Sequence, residues 1–323
     1  MATISRTRFA LVGVLATVSV TWTSALAAGS RWGDRPPTRP RGVFVLSCGD
    51  AFEPAINNLG EIVYTQSRSD GTLSIASTNR GRLTSNSFDI RFPDINDNGE
   101  IVYSDLVAGL PSLTLLSRVR GPLFSGYLGR INNWGQVSAT GFGTTPGPTR
   151  LLKYEIDGTL HELTGPAEIS STAITDDGEV TYVSVDPVLG SDVFSTARGQ
   201  LTFLGNVVSH AANGIGAFIY TVRLPDNRQL LFAESGELLW NGVAGRPDLN
   251  DYGDIVFNVP VVYLVNGVRV GNFAMVLLTS RPNVYHDRFH GKGMFRPAHR
   301  AGAPLCAGAV GSGGELVNAP IPG

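Results

Sequence analysis

The sequence predicts an all-β protein, a six-bladed β-propeller closed by an N-terminal strand. Three observations predict it. A short turn motif recurs six times, the recurrences fall about 38 residues apart, and helical spacing of apolar residues is nearly absent. The clearest copy is Ile95-Asn96-Asp97-Asn98-Gly99-Glu100-Ile101-Val102-Tyr103. The others begin at Ile56, Ile131, Ile174, Ala212 and Leu249. Their marker residues are Asn57, Asn96, Asn132, Thr175, Asn213 and Asn250, separated by 39, 36, 43, 38 and 37 positions. A fixed period of this size signals a solenoid, a propeller or an array.

Each copy has one physical logic. An apolar residue ends a strand. Asn follows, because its side chain can bond nearby backbone and start a turn. Gly stands three residues later, where a positive φ is expected. A β-branched run then opens the next strand. The remainder of a repeat fits two more strands. In the first repeat these are Thr72–Ser77 and Leu83–Ser87, around a turn at Asn79–Gly81. In the second, a strand at Leu113–Leu116 leads into a turn at Arg118–Gly121. In the fourth they are Asp192–Thr196 and Gln200–Leu204, around Arg198-Gly199. Four short strands per repeat is the size of a propeller blade. A β-helix is the structural competitor, but its coils are usually shorter.

Along the chain, residues 1–28 read as a secretory signal peptide. Arg6 and Arg8 precede the apolar run Phe9–Val20, and Ala25-Leu26-Ala27 is a small-residue cleavage site. The apolar run is too short to span a bilayer. Residues 29–42 form a Pro- and Arg-rich linker. Residues 43–281 are the six-repeat propeller, with Val43–Ser47 expected to complete the last blade, because an open sheet edge invites aggregation. The longest interval holds a loop insertion at 141–148, and Pro225-Asp226-Asn227 and Val265-Asn266-Gly267 are further turns. Residues 282–323 leave the pattern and are expected to be a partly disordered C-terminal extension.

The 323-residue chain carries net charge −2 and 16% charged residues, which gives no general attraction to nucleic acid. Its two cysteines, Cys48 and Cys306, could form a disulfide that clamps the ends of the ring.

The sixfold I-N-D-x-G-E-I-V-Y motif resembles the tandem NxxG repeats of bacterial extracellular proteins, including the HAF-type repeats. The resemblance covers about 230 residues, Ala51 to Arg281. It implies a secreted or surface β-propeller-like protein and brings no catalytic residues with it. Thr175 replaces the marker Asn and Gly214 the following Asp, so altered turns are expected there.

Candidate chemistry is sparse. Asp94-x-Asn96-x-Asn98-Gly99, with Asp105 further on, has oxygen ligands at calcium-loop spacing. The spacing coincides with the repeat turn, however, and other copies place Ala55 or Ala173 where the first ligand should be. His286, His290 and His299, with Asp287, could be metal ligands but read as tail histidines. Glu61, Glu100, Glu179 and Asp254 share one repeat position and are therefore assigned to structure. Trp134 and Tyr252, on equivalent turns, are expected to pack against a neighbouring blade, the alternative being a sugar platform. No Gly-x-Ser-x-Gly elbow is present.

No catalytic, cofactor-binding or metal residue is therefore assigned, and no cofactor is expected. The expected function is a non-enzymatic binding or scaffold module for a protein or glycan, secreted or at the cell surface, monomeric, with no membrane anchor in the mature chain and no nucleic-acid partner. The alternative is a secreted hydrolase or lyase with an acidic site at one mouth of the central channel, and its mark would be carboxylates or histidines that do not recur among the repeats.

Overall fold

The computed structural model describes residues 42–48, 51–68, 70–107, 112–141, 149–165, 168–186, 188, 190–265, 268–281, 285, 296–297 and 314–315. The segments expected to be a signal peptide and a linker, up to residue 41, lie outside them, as do Cys306, His286, His290, His299 and Asp287, and residues 142–148. The expected Cys48–Cys306 bond therefore falls outside them too. Among the described residues no helix is long and apolar enough to cross a membrane.

The fold is all-β and β-propeller-like, built of antiparallel sheets. Strand β1 is Gly42–Cys48. The first repeat supplies β2 (Ala51–Ile56), β3 (Ile62–Ser67), β4 (Leu73–Ser77) and β5 (Gly81–Arg82). The second supplies β6 (Arg91–Ile95), β7 (Ile101–Leu106), β8 (Leu113–Ser117) and the first part of β9 (Gly121–Ile131). The rest of β9 opens the third, followed by β10 (Val137–Gly141), β11 (Arg150–Tyr154) and β12 (Leu160–Glu162). The fourth holds β13 (Glu168–Ile174), β14 (Val180–Asp186), β15 (Gly190–Ser195) and β16 (Gly199–Gln200). The fifth holds β17 (Val207–Ala212), β18 (Phe218–Arg223), β19 (Gln229–Ala233) and β20 (Leu238–Asn241). The sixth holds β21 (Gly245–Leu249), β22 (Ile255–Val265) and β23 (Val268–Thr279). Two short strands follow, β24 (Arg296–Pro297) and β25 (Gly314–Glu315).

The sixth repeat takes its fourth strand from the other end of the chain. Strand β1 pairs antiparallel with β23, Gly42 opposite Thr279 and Phe44 opposite Leu277. In return β24 pairs with β1 and β25 with β22. Outer strands are shorter than the sequence suggests. Leu83–Ser87 is not a strand, and of Gln200–Leu204 only Gln200 lies in one; β5 and β16 are two residues each. Past them the backbone is held by isolated bonds, Leu83 N–H to the Ile75 carbonyl, a two-way bridge between Ser87 and Leu73, and Leu201 N–H to the Val193 carbonyl.

The six turns share one geometry. Gly60, Gly99, Gly135, Gly178, Gly216 and Gly253 all have φ between 72 and 85°. In each, the glycine N–H donates to the marker residue's carbonyl at 3.0 to 3.1 Å. The marker Asn also bonds sideways. Asn57 Nδ2 donates to the Asn96 carbonyl, Asn96 to that of Asn132, Asn132 to that of Thr175, Asn213 to that of Asn250, and Asn250 to that of Asn57. At Thr175 the neighbour is reached instead by the Asp176 N–H, 2.8 Å from the Gly214 carbonyl. Asp177 there supplies the acceptor for the Glu179 N–H that Asn would have supplied.

Strands such as β4 and β10 are buried at every residue. Both faces of each sheet are covered by neighbouring repeats, so alternation is lost. The apolar clusters lie between consecutive repeats. Ala55, Val63 and Ile75 of the first meet Ile95 and Ile101 of the second. Ile56, Ile62 and Tyr64 of the first also meet Val256, Met275 and Leu277 of the sixth. Tyr285, beyond the repeats, is fully buried in that same cluster.

Candidate functional site

The two ends of the inner strands differ. At the turn end, the residues after the markers are Asn58, Asp97, Asn133, Asp176, Gly214 and Asp251. The Asn58 amide donates to Asp97 and Asp251, and the Asn133 amide donates to Asp97 and Asp176. Neighbouring repeats thus consume one another's polar groups. A narrow cavity of about 60 Å³ lies beneath this hub.

At the opposite end, every inner strand is irregular. The register shifts between Phe52 and Ala55, Arg91 and Asp94, Ile169 and Ser171, Val207 and Ser209, and Gly245 and Asp248. In β9 the shift lies opposite Ser138 and Thr140 of β10. The residues four before the markers are Glu53, Phe92, Leu128, Ser171, Ser209 and Arg246. Glu53, Phe92, Leu128 and Arg246 have φ of 55, 56, 56 and 47°. A non-glycine residue held there costs about 1–3 kcal/mol, and such strain clusters at functional sites. Bulges re-aim side chains in the same way. These six positions ring a cavity of about 430 Å³.

Glu53 is buried, with its N–H donating to Asn258 Oδ1 at 2.8 Å. Its Oε2 accepts the Phe92 N–H at 2.9 Å and the Thr65 hydroxyl at 3.1 Å. Its Oε1 is 3.8 Å from Arg246 Nε. The Arg246 guanidinium lies over the Phe92 ring, 4.1 Å from its centroid, a cation–π geometry. Burial lowers the Arg246 pKa; Glu53 opposes this, while the charges of Arg130 and Arg91 add to it.

Two residues before the markers the series is Ala55, Asp94, Arg130, Ala173, Ala211 and Asp248. Arg130 Nη1 reaches Asp94 Oδ1 at 3.1 Å and Asp248 Oδ1 at 3.2 Å. The other carboxylate oxygens accept backbone N–H groups of the following repeats, Asp94 from Ile131 at 2.6 Å and Asp248 from Ile56 at 2.8 Å. Burial pushes both carboxyls up against the pull of Arg130, Asp248 to about 7. Arg130 borders both cavities and separates them.

His210 is 1% exposed. Its Nδ1 is 2.7 Å from the Ser171 hydroxyl and its Nε2 is 2.9 Å from that of Thr181. Burial, aided by the Arg130 charge, pushes its pKa down to about 3, so the imidazole is neutral. The wide mouth thus combines a carboxylate, two guanidinium groups and a hydroxyl–imidazole pair.

The candidates read from sequence lie elsewhere. In the calcium-like run, Asp94 is spent on Arg130 and Ile131, and Asn96 on Glu100 N–H and the Asn132 carbonyl. No group of three or more potential metal ligands occurs among the described residues. The recurrent acids are structural. Glu61 accepts from Ser77 and Arg80, Glu100 from Ser117 and Arg120, and Glu179 from Ser195 and Arg198. Asp254 accepts from Thr279, Arg281 and Tyr285. The Ser-x-x-Arg partners recur in the sequence and could have been found there. Trp134 and Tyr252 do not pack against a neighbouring sheet as expected. They are 68% and 58% exposed, with Arg281 stacked on Tyr252. The residues at the wide mouth went unassigned. Their signal was departure from the repeat at positions two to four before each marker.

No family model matches the chain, and no curated protein matches it. Solved structures do. One is a candidate gluconolactonase, 9% identical, covering 80% of this chain and 94% of its own, with a TM-score of 0.45. Another is the PQQ-bound aldose sugar dehydrogenase of Streptomyces coelicolor, 10% identical, covering 75% and 98%, TM-score 0.43. A third is a protein of unknown function from Dyadobacter fermentans, 12% identical, covering 75% and 99%, TM-score 0.46. No residue correspondence is drawn from them. The expectation of a non-enzymatic binding or scaffold module is corrected on this chain's own geometry: the wide mouth carries the non-repeating charged cluster that marks the enzymatic alternative.

Proposed function

We propose that this chain is a secreted hydrolase or lyase, built on a closed six-bladed propeller, with its reaction site at the wide mouth. The observation that carries this is the convergence of six strand irregularities, four of them with strained non-glycine residues, on one cavity lined by Glu53, Arg130, Ser171, His210 and Arg246. The closed ring is supported by the return of the Asn relay from Asn250 to Asn57 and by the pairing of β1 with β23.

The roles follow from chemistry. Arg130 and Arg246 stabilise negative charge that develops on a reacting oxygen, the largest common contribution to catalysis. Glu53 is the proton acceptor. In hydrolysis it takes a proton from the attacking water and returns it to the leaving oxygen, so water adds across the broken bond. In elimination it takes the proton next to an acidic group and passes it to the leaving oxygen, as the C–O bond breaks and a C=C bond forms. Such proton transfer contributes about 10²–10⁴-fold. The Ser171–His210 pair is a poor nucleophile on its own, because so weakly basic an imidazole does not deprotonate a hydroxyl. It orients substrate hydroxyls.

The test is a pH-stat and absorbance screen of esters, lactones, glycosides and uronate-containing glycans. Turnover by the wild type, with a loss of about 10²-fold or more in Glu53→Gln, is expected. A Glu53→Gln variant as active as the wild type would remove the proposed role, and a wild type inert across the screen would remove the reading.

A further inference from the structure

The substrate class of this mouth can be narrowed, on the basis of the enzymatic reading above. We propose that the mouth binds a small hydroxylated carboxylate, with its anionic group on Arg246 and its hydroxyls on the Ser171, Ser209 and Gln229 side of the cavity. Arg246 is the anchor. Its side chain is 43% exposed, and among the described residues its ion-pair contact is Glu53 at 3.8 Å, beyond hydrogen-bond length. The Phe92 ring under it fixes the guanidinium plane while leaving its edge to a ligand. Planar, bidentate recognition of a carboxylate is what such an edge suits.

The carboxylate that could have neutralised this arginine is otherwise engaged. Glu53 is held by the Phe92 N–H and the Thr65 hydroxyl. The surroundings are biased the same way: His210 and Arg246 both sit below their ordinary pKa, burial acting first and arginine charges adding to it. Besides the anchor the cavity is lined by Ser171, Ser209 and Gln229, polar groups that can meet hydroxyls. A single guanidinium edge beside Glu53 favours a monoanion over a phosphate dianion.

Calorimetric titration with galacturonate, galactose and inorganic phosphate tests this. Galacturonate is expected to bind the wild-type protein at least tenfold more tightly than galactose, and the ratio should vanish in Arg246→Gln and partly survive in Arg246→Lys. Trp134→Ala, on the opposite face, should leave it unchanged. Equal binding of both sugars, no binding of galacturonate, tighter binding of phosphate, or an unaltered ratio in Arg246→Gln would overturn the proposal. Turnover of neutral substrates without carboxylate preference sinks this inference alone. Carboxylate binding without turnover of any substrate sinks the enzymatic reading alone.

Discussion

The two ends of the same six inner strands obey different rules. At the turn end, polar side chains tie each repeat to the next: Asn96 bonds the Asn132 carbonyl, Asn58 bonds Asp97, and the glycines supply the same positive φ six times. Four residues earlier, the same strands bulge, carry leucine, phenylalanine, glutamate and arginine at positive φ, and aim unlike side chains into one cavity. Repetition builds the scaffold, and departure from repetition builds the site.

The largest effect is expected where the two regions meet. Arg130→Met leaves Asp94 and Asp248 buried without their cation and should cost about 3–5 kcal/mol in urea unfolding at neutral pH. A smaller loss is expected in acid, where both carboxyls can be protonated. A loss below about 1 kcal/mol at pH 7 would show that the trio is not a buried network.

Next comes the turn end. Asn96→Ala orphans the Glu100 N–H and removes the bond to the Asn132 carbonyl, for about 1–3 kcal/mol. Thermal unfolding reads this directly, and an unchanged midpoint would deny the Asn relay its structural role.

The pH dependence follows from Asp248. Its folded pKa, near 7, lies above the unfolded value, so the native state binds the extra proton. This contribution is present at acid pH and is lost as pH rises through about 7. Asp248→Asn keeps an acceptor for the Ile56 N–H but cannot ionise. Between pH 5 and 8 the wild type should therefore lose on the order of 1–3 kcal/mol more than the variant. Parallel curves would contradict the shift.

The smallest effects have opposite signs. Gly135→Ala puts a side chain at φ of 78° in the turn and should destabilise by about 1 kcal/mol. Leu128→Gly relieves a strained position at the mouth and should be neutral or stabilising by up to about 1 kcal/mol. Equal losses in both would remove the argument from strain.

The sequence made the scaffold legible because its rules are local. Ile56 to Tyr64 announces a turn and a strand within nine residues, and five further copies repeat the message. The structural role of Glu61 was legible from its recurrence; its partners Ser77 and Arg80 were missed although the spacing recurs with it. The outer strands were placed too far along the chain: the pairing with β4 and β15 falls on the turn glycines and the residues after them, Gly81–Arg82 and Gly199–Gln200, and Leu83–Ser87, with one apolar residue in five, does not continue it. The site was not legible, because it is assembled across repeats. Glu53 meets Phe92 39 residues away. Arg130 meets Asp248 118 residues away. No local pattern carries such distances, yet alignment of the six copies against one another exposes Arg130 as the one basic residue at a position otherwise held by Ala or Asp, and His210 as the misfit at a position otherwise held by Pro, Gly or Thr.

The central claim, that structure resides at the turn end and chemistry at the wide mouth, is tested most directly by measuring kcat/KM and the thermal midpoint together for Glu53→Gln and Asn96→Ala. The account predicts that Glu53→Gln loses about 10²-fold or more in kcat/KM with little change in midpoint, and that Asn96→Ala loses stability with kcat/KM nearly intact. If both variants lose activity only in proportion to lost stability, the wide mouth is part of the scaffold and the claim fails.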